Sequence, residues 1–184
     1  MTADQARLRT PFSEGTLTLA PLGEEHRAAL GAACAADPDI WHIYPVDYGP
    51  ERFDANFSAL LANAARMPLA VIVDGVVSGM TAYLRIDAGA QTLEIGNSYI
   101  TPALRGSGLN GQMKRLMIDH AFACGFRRIE FRVDVRNERS QGAVRKLGAV
   151  HEGTLRAERI TWTGHVRDTM LFGLLAEDWA KTRA

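Results

Sequence analysis

Apolar and polar residues alternate over residues 16–19, the period-two signature of a strand with one buried face. Residues 24–36 read as a helix that Pro38 ends. Pro50 has a φ suited to a first helical turn and predicts a second helix over roughly 51–65. Two strands follow, 69–73 and 76–84, and the Asp74-Gly75 pair between them is a two-residue hairpin signal. A further strand over 92–100 is closed by Pro102. The period then lengthens: Leu109, Met113, Leu116, Met117, Ala121 and Cys124 recur at helical spacing, and Gly125 is a natural stop. Residues 129–135 alternate strictly, as a half-buried strand does. Asn137 is suited to cap a helix that runs to Leu147 and stops at Gly148. Strands near 149–159 and 165–174 flank a turn at Thr163-Gly164. Strand, two helices, three strands, helix, strand, helix and two strands make a mixed α/β sheet, not a regular βαβ alternation.

Composition narrows the function classes. The 184 residues carry 21 Lys and Arg against 21 Asp and Glu, and this balance disfavours a dedicated nucleic-acid binder. Cys34 and Cys124 stand apart, so neither a disulfide scaffold nor a structural zinc site is expected. The first eleven residues mix acidic and basic side chains without an apolar core, and no apolar run approaches the ~20 residues that span a bilayer. A soluble cytoplasmic protein is the expectation, with no membrane partner.

The densest chemistry lies in Arg105-Gly106-Ser107-Gly108-Leu109-Asn110-Gly111, between a strand and an amphipathic helix. Glycines there let the backbone turn tightly and aim N–H groups into one concavity at a helix N-terminus, a ready anion site. Three glycines within six residues, preceded by Arg105, favour a phosphate or pyrophosphate over a simple turn. No P-loop string occurs. The string G-x-G-x-x-G does occur, at Gly106, Gly108 and Gly111, and raises a dinucleotide site. Against that site, residues 101–105 separate the strand from the first glycine, and Glu130 begins its strand where a ribose-binding acid ends one.

The segment resembles the GNAT superfamily of N-acetyltransferases, whose signature [QR]-x-x-G-x-[GA] is matched by Arg105 and Gly108, with Asn110 departing at the sixth position. The wider strings Leu109-Asn110-Gly111-Gln112-Met113-Lys114, Asp119-His120-Ala121-Phe122, Arg136-Asn137-Glu138-Arg139-Ser140 and Lys146-Leu147-Gly148-Ala149-Val150-His151-Glu152-Gly153 are similar to the Rim-type branch, which includes acetyltransferases acting on ribosomal-protein N-termini. The resemblance implies an α/β (α+β) fold: one GNAT-type domain over 1–184, with a mixed, mostly antiparallel sheet of about seven strands flanked by about four helices. It implies acetyl-CoA as donor and no metal. It places the pyrophosphate on the amides of Arg105, Gly106, Ser107, Gly108, Leu109 and Asn110, and the pantetheine arm against the strand ending near Ile100 and Thr101. Asn137 and Ser140 match positions that approach the thioester. Lys114, one turn into the helix, is placed to meet a CoA phosphate or to lie solvated on the surface. A homodimer is left open.

Amide formation needs a neutral amine, whereas an ordinary amine is largely protonated near neutral pH, so a base must first take a proton. Glu94 is the first candidate, on a strand whose alternation puts Glu94, Gly96 and Ser98 on one face and Leu93, Ile95 and Tyr99 on the other. Family members carrying a glutamate on the equivalent strand support it, and Glu158 is the second candidate. The position of the tyrosine acid used by many members is Val144 here, and Ser140 matches the hydroxyl used instead in the Rim-type branch. Trp41, His42 and Tyr44 are the candidates for lining the amine acceptor's site, with Asp47 available to attract a cation. The acceptor is a peptide N-terminus or a small-molecule amine. A non-catalytic CoA-binding sensor or scaffold is the alternative from another class.

Overall fold

The computed structural model describes residues 2–183. In chain order the elements are α1 (Gln5–Leu8), β1 (Phe12–Glu14), β2 (Leu17–Pro21), α2 (Arg27–Ala35), α3 (Phe53–Ala62), β3 (Arg66–Val73), β4 (Val76–Asp87), β5 (Thr92–Ile100), α4 (Leu109–Ala123), β6 (Arg128–Asp134), α5 (Glu138–Lys146), β7 (Val150–Ile160), β8 (Val166–Leu175) and α6 (Ala176–Arg183), with short 3-10 turns at Glu24–His26, Pro38–Ile43 and Pro102–Leu104. The strands form one eight-stranded sheet in the order β1-β2-β3-β4-β5-β6-β8-β7. Every pairing is antiparallel except β5 with β6.

The expected mixed, mostly antiparallel sheet is present, with β1 as an added edge strand. Three residues are too few for a period to register, and β1 is legible only through its pairing with β2. The Asp74-Gly75 turn forms as expected, with both residues at positive φ (+49° and +79°), the twist that matches a right-handed hairpin. Pro50 does not open a helix: α3 starts at Phe53 and Pro50 lies in the preceding loop.

Each face of the sheet is buried by a different set of helices. Met113, Met117, Ile118 and Ala121 of α4 pack on Leu69, Val71, Tyr83, Leu93 and Ile95, and α1, α5 and α6 extend this core. On the other face Leu30 and Cys34 of α2 and Phe57 and Leu60 of α3 cover Ala70, Met80 and Tyr99. Residues 69–71 are therefore buried on both sides, which is why that strand reads as a continuous apolar run. The second core stops at β5. Along β6, Ile129, Phe131 and Val133 join the α4 core while Glu130, Arg132 and Asp134 alternate with them onto the opposite face. Both cysteines are buried and unpaired.

Candidate active site

The parallel pair β5 and β6 creates the site. Only Thr92–Glu94 pairs with Arg128–Glu130; beyond Glu94 the two strands part while each continues several residues. The fork opens into a cleft of about 950 Å³, walled by Gly96, Asn97, Ser98 and Ile100 of β5, Phe131 and Val133 of β6, and residues of α4 and α5.

A β-bulge marks the fork. The β4–β5 register slips between Met80 and Ala82, with Asn97 at φ +51°. The bulge corrects the alternation expected from the sequence. Glu94 and Gly96 share one face, since a Cβ built on Gly96 would lie 3.1 Å from Glu94 Oε1. Past the bulge the faces exchange: Ser98 turns toward α4, and Tyr99 enters the second core, its hydroxyl donating to Ala33 O at 2.7 Å.

At the mouth of the cleft, Gly106 and Gly108 hold φ of +80° and +90°, the left-handed region open to glycine, and Gly108 is the N-cap of α4. The N-cap, being glycine, offers this helix no side-chain acceptor. Among the described residues no acceptor takes the N–H groups of Gly106, Gly108, Asn110 or Gly111. Unsatisfied amides at the positive end of a fifteen-residue helix fit a pyrophosphate. Ser107 instead spends its hydroxyl locally, donating to Leu104 O at 2.7 Å and accepting from Leu109 N at 3.3 Å. Arg105 lines the cleft, but its guanidinium is already paired with Asp37 and its Nε donates to Ile100 O at 3.1 Å. Ile100, Gly106, Gly108 and Asn110 line the cleft as well, whereas the side chains of Thr101, Ser107 and Leu109 do not.

On the α5 wall, Asn137 caps the helix, its Oδ1 accepting from Ser140 N at 3.0 Å. Ser140 is half-buried in the cleft, and its hydroxyl makes no hydrogen bond among the described residues. Asp134 fixes this corner. It accepts from Arg136 N at 2.9 Å and from the Arg136 guanidinium at 2.8 and 3.0 Å, with Arg167 Nε 3.8 Å away. Burial works to raise its pKa, but the Arg136 bonds and Arg167 outweigh that and hold it below the usual value.

The two candidate bases differ sharply. Glu94 is 7% exposed and lines the cleft, beside Arg85 Nε at 3.1 Å and Arg132 Nε at 3.6 Å. Burial raises its pKa, and Arg132, Arg85 and Arg159 only partly offset the rise. Glu158 does not line the cleft. It accepts from Thr169 Oγ1 at 3.2 Å and pairs with Arg159 at 3.4 Å; burial raises its pKa, but Arg159, Thr169 and Arg167 bring it below the usual range. The strand β7 is irregular between Leu155 and Arg159, where Ala157 takes φ +50° and donates its N–H to Asp168. That irregularity displaces Glu158 from a regular register.

Three expectations are corrected. Trp41 is fully buried in the second core, its indole N–H directed at Cys34 O (3.3 Å), so it anchors packing and lines no groove. His42 is exposed beside Trp162, outside the cleft, and Asp47 is engaged by Gly49 N and Arg52; of the acceptor candidates only Tyr44 lines the cleft, donating to Ser98 O at 2.6 Å. Lys114 is neither solvated nor turned toward the glycine turn. It is 8% exposed, and its amine donates to Ser98 Oγ inside the fork. A sequence signal existed: Lys114 shares a helical stripe with Ile118 and Ala121, four and seven residues on, both buried.

The sequence profile of the acetyltransferase (GNAT) domain matches residues 16–150. Among solved structures, an acetyltransferase of the GNAT family from Chromobacterium violaceum is 29% identical, with 98% of this chain and 92% of that one covered at a TM-score of 0.89. An acetyltransferase from T. thermophilus is 31% identical over 94% of this chain and 93% of its own, TM-score 0.83. RimJ from Mycobacterium smegmatis, solved with CoA-disulfide, shares the fold at 24% identity, 88% and 82% coverage and a TM-score of 0.74. Among curated proteins none matches the sequence.

Proposed function

The chain belongs to the GNAT acetyltransferases, acetyl-CoA-dependent enzymes, and from that membership we propose that it acetylates a primary amine, a protein N-terminal α-amine or a small-molecule amine, by direct attack on the thioester. The observation that carries this reading is the fork itself, with Glu94 at its apex and the unsatisfied amides of the glycine turn at its mouth.

In this reading Gly106, Gly108 and Asn110 bind the pyrophosphate through their amides, and the unpaired edge of β5 beyond Glu94 receives the pantetheine arm. Glu94 takes the proton of the incoming amine, directly or through water; its raised pKa makes it a better proton acceptor than an ordinary surface carboxylate. The Ser140 hydroxyl, free of protein partners, donates a hydrogen bond to the sulfur as charge develops there. Glu158 serves as an ion-pair partner and not as the base. The peptide α-amine is the leading acceptor, because no residue of β6 joins the second core, and the face of β6 that carries Glu130 and Arg132 is left without a helix of that core for an extended chain to follow.

Thiol release from acetyl-CoA over a panel of N-terminal peptides and small amines tests the proposal. Turnover with at least one acceptor, matched by N-acetylated product, is expected. CoA binding without turnover on any acceptor would instead indicate a sensor or scaffold.

A further inference from the structure

Lys114 occupies a place that neither packing nor cofactor binding explains. Its side chain reaches from α4 into the fork, where its amine donates to Ser98 Oγ; Ser98 Oγ in turn lies 2.7 Å from Thr81 Oγ1, and Thr81 Oγ1 is 3.4 Å from Met117 Sδ. Burying an amine among such neutral partners is costly, and among the described residues no carboxylate pairs with it to offset the cost. A methionine or leucine at this position would pack at lower cost, so stability does not account for the lysine.

The reaction, as proposed, leaves one proton unaccounted for. When the amine attacks, the carbon–sulfur bond breaks with its electron pair on sulfur, and the thiolate needs a proton to leave as a thiol. The tyrosine position that serves this purpose in many family members is Val144. Ser140 can orient the sulfur but cannot be the net source, since a serine alkoxide is a far stronger base than a thiolate.

We propose that Lys114 is the proton donor to the departing thiolate of CoA, held by Ser98 in the gap between β5 and β6. This rests on the acetyl-transfer reading of the same cleft. Lys114 approaches from the α4 side, while Glu94 stands on the opposite face of β5. Counted from the ammonium, nitrogen gives up two protons, one to Glu94 before attack and a second to Glu94, which has by then passed the first to solvent, once the carbon–nitrogen bond has formed. The carbon–sulfur bond breaks, Lys114 delivers one proton to sulfur and is recharged from solvent, and one proton is released overall. The surroundings suit a group that changes charge. Burial brings the Lys114 pKa down to about 7, with Glu94 on β5 partly opposing the drop. The hydroxyls that hold it are neutral, Ser98 on β5 and behind it Thr81 on β4, while the same cleft is also lined by charged groups of the other elements, Arg105, Arg115 on α4, Arg132 and Asp134 on β6, and Arg139 on α5.

Lys114→Met and Lys114→Gln test the assignment; the glutamine retains a hydrogen bond to Ser98 but has no proton to transfer. Both variants are expected to lose about 100-fold or more in kcat, the scale of general acid catalysis, while calorimetric CoA affinity stays within about threefold. Lys114→Met should also melt no lower than the parent, because a buried amine has been removed. In the parent, kcat should fall as the pH rises and Lys114 deprotonates; neither variant should show that limb. Near-parental kcat in Lys114→Gln, or an unchanged alkaline limb, would overturn the role of Lys114 alone. No turnover by the parent on any acceptor would overturn the acetyl-transfer reading and Lys114's role with it.

Discussion

Asp134, buried at the wall of the cleft, illustrates how one side chain organises its surroundings. Its carboxylate gathers Arg136 and Arg167, and its carbonyl accepts Asn137 N at 2.9 Å, so the turn that presents Asn137 and Ser140 hangs on one residue. Asp134→Asn leaves the nearly buried Arg167 without a charge partner at that point. A loss of about 3 kcal/mol in chemical denaturation is expected, the scale of breaking a buried pair from one side. The folded pKa lies below the unfolded one, so this stabilisation is present above about pH 4 and is lost as the pH falls through the folded value. The variant should therefore match the parent's stability in strong acid and fall short of it at neutral pH. Residue by residue, legibility followed local geometry. Asn137 was readable because a cap is a short-range pattern. Trp41 was not, because a tryptophan in a loop gives no sign of whether it turns inward. The contrast between Glu94 and Glu158 was also hidden, since it depends on arginines from β4, β6, β7 and β8 that only the folded sheet brings together.

Among the elements, the glycine turn and the start of α4 carry the proposed contact with the cofactor. A Cβ built on Gly108 meets nothing within 4 Å, so Gly108→Ala has no clash to resolve, only the cost of a φ of +90°. That cost is roughly 1–2 kcal/mol. The variant should fold, with a modestly lower melting temperature, and bind CoA more weakly by calorimetry as the turn shifts its amides. An unchanged affinity would remove those amides from the binding site. Elements are legible in the sequence where a period runs long enough: α4, β6 and the β3–β4 hairpin lie close to their expected bounds. The failures have physical causes. Three-residue β1 has no period to detect, Pro50 fits a loop as readily as a helix start, and the bulge at Asn97 breaks the alternation that would have put Ser98 beside Glu94.

For the whole molecule, the decisive feature is that two antiparallel half-sheets meet through one short parallel pairing and then part. A ligand bridging β5, β6 and the α4 N-terminus would tie the halves together. CoA at one hundred times its Kd should stabilise the fold by about 2.7 kcal/mol. For a domain of this size that is a rise of about 5–10 °C in Tm. NADH should give no comparable shift, and protection by NADH alone would revive the dinucleotide reading of Gly106, Gly108 and Gly111. No helix among the described residues is long and apolar enough to cross a membrane. Zero net charge is compatible with a polyanionic ligand once oriented amides, and not lysines, supply the positive potential.

The most direct test of amine acetylation with Glu94 as base is the pH dependence of kcat/KM in the parent and in Glu94→Gln. A loss of about 10²–10⁴ is expected at pH values where the acceptor amine is protonated, the range of general base catalysis, narrowing as the pH rises and the amine loses its own proton. A loss of equal size at every pH, or no loss, would contradict it.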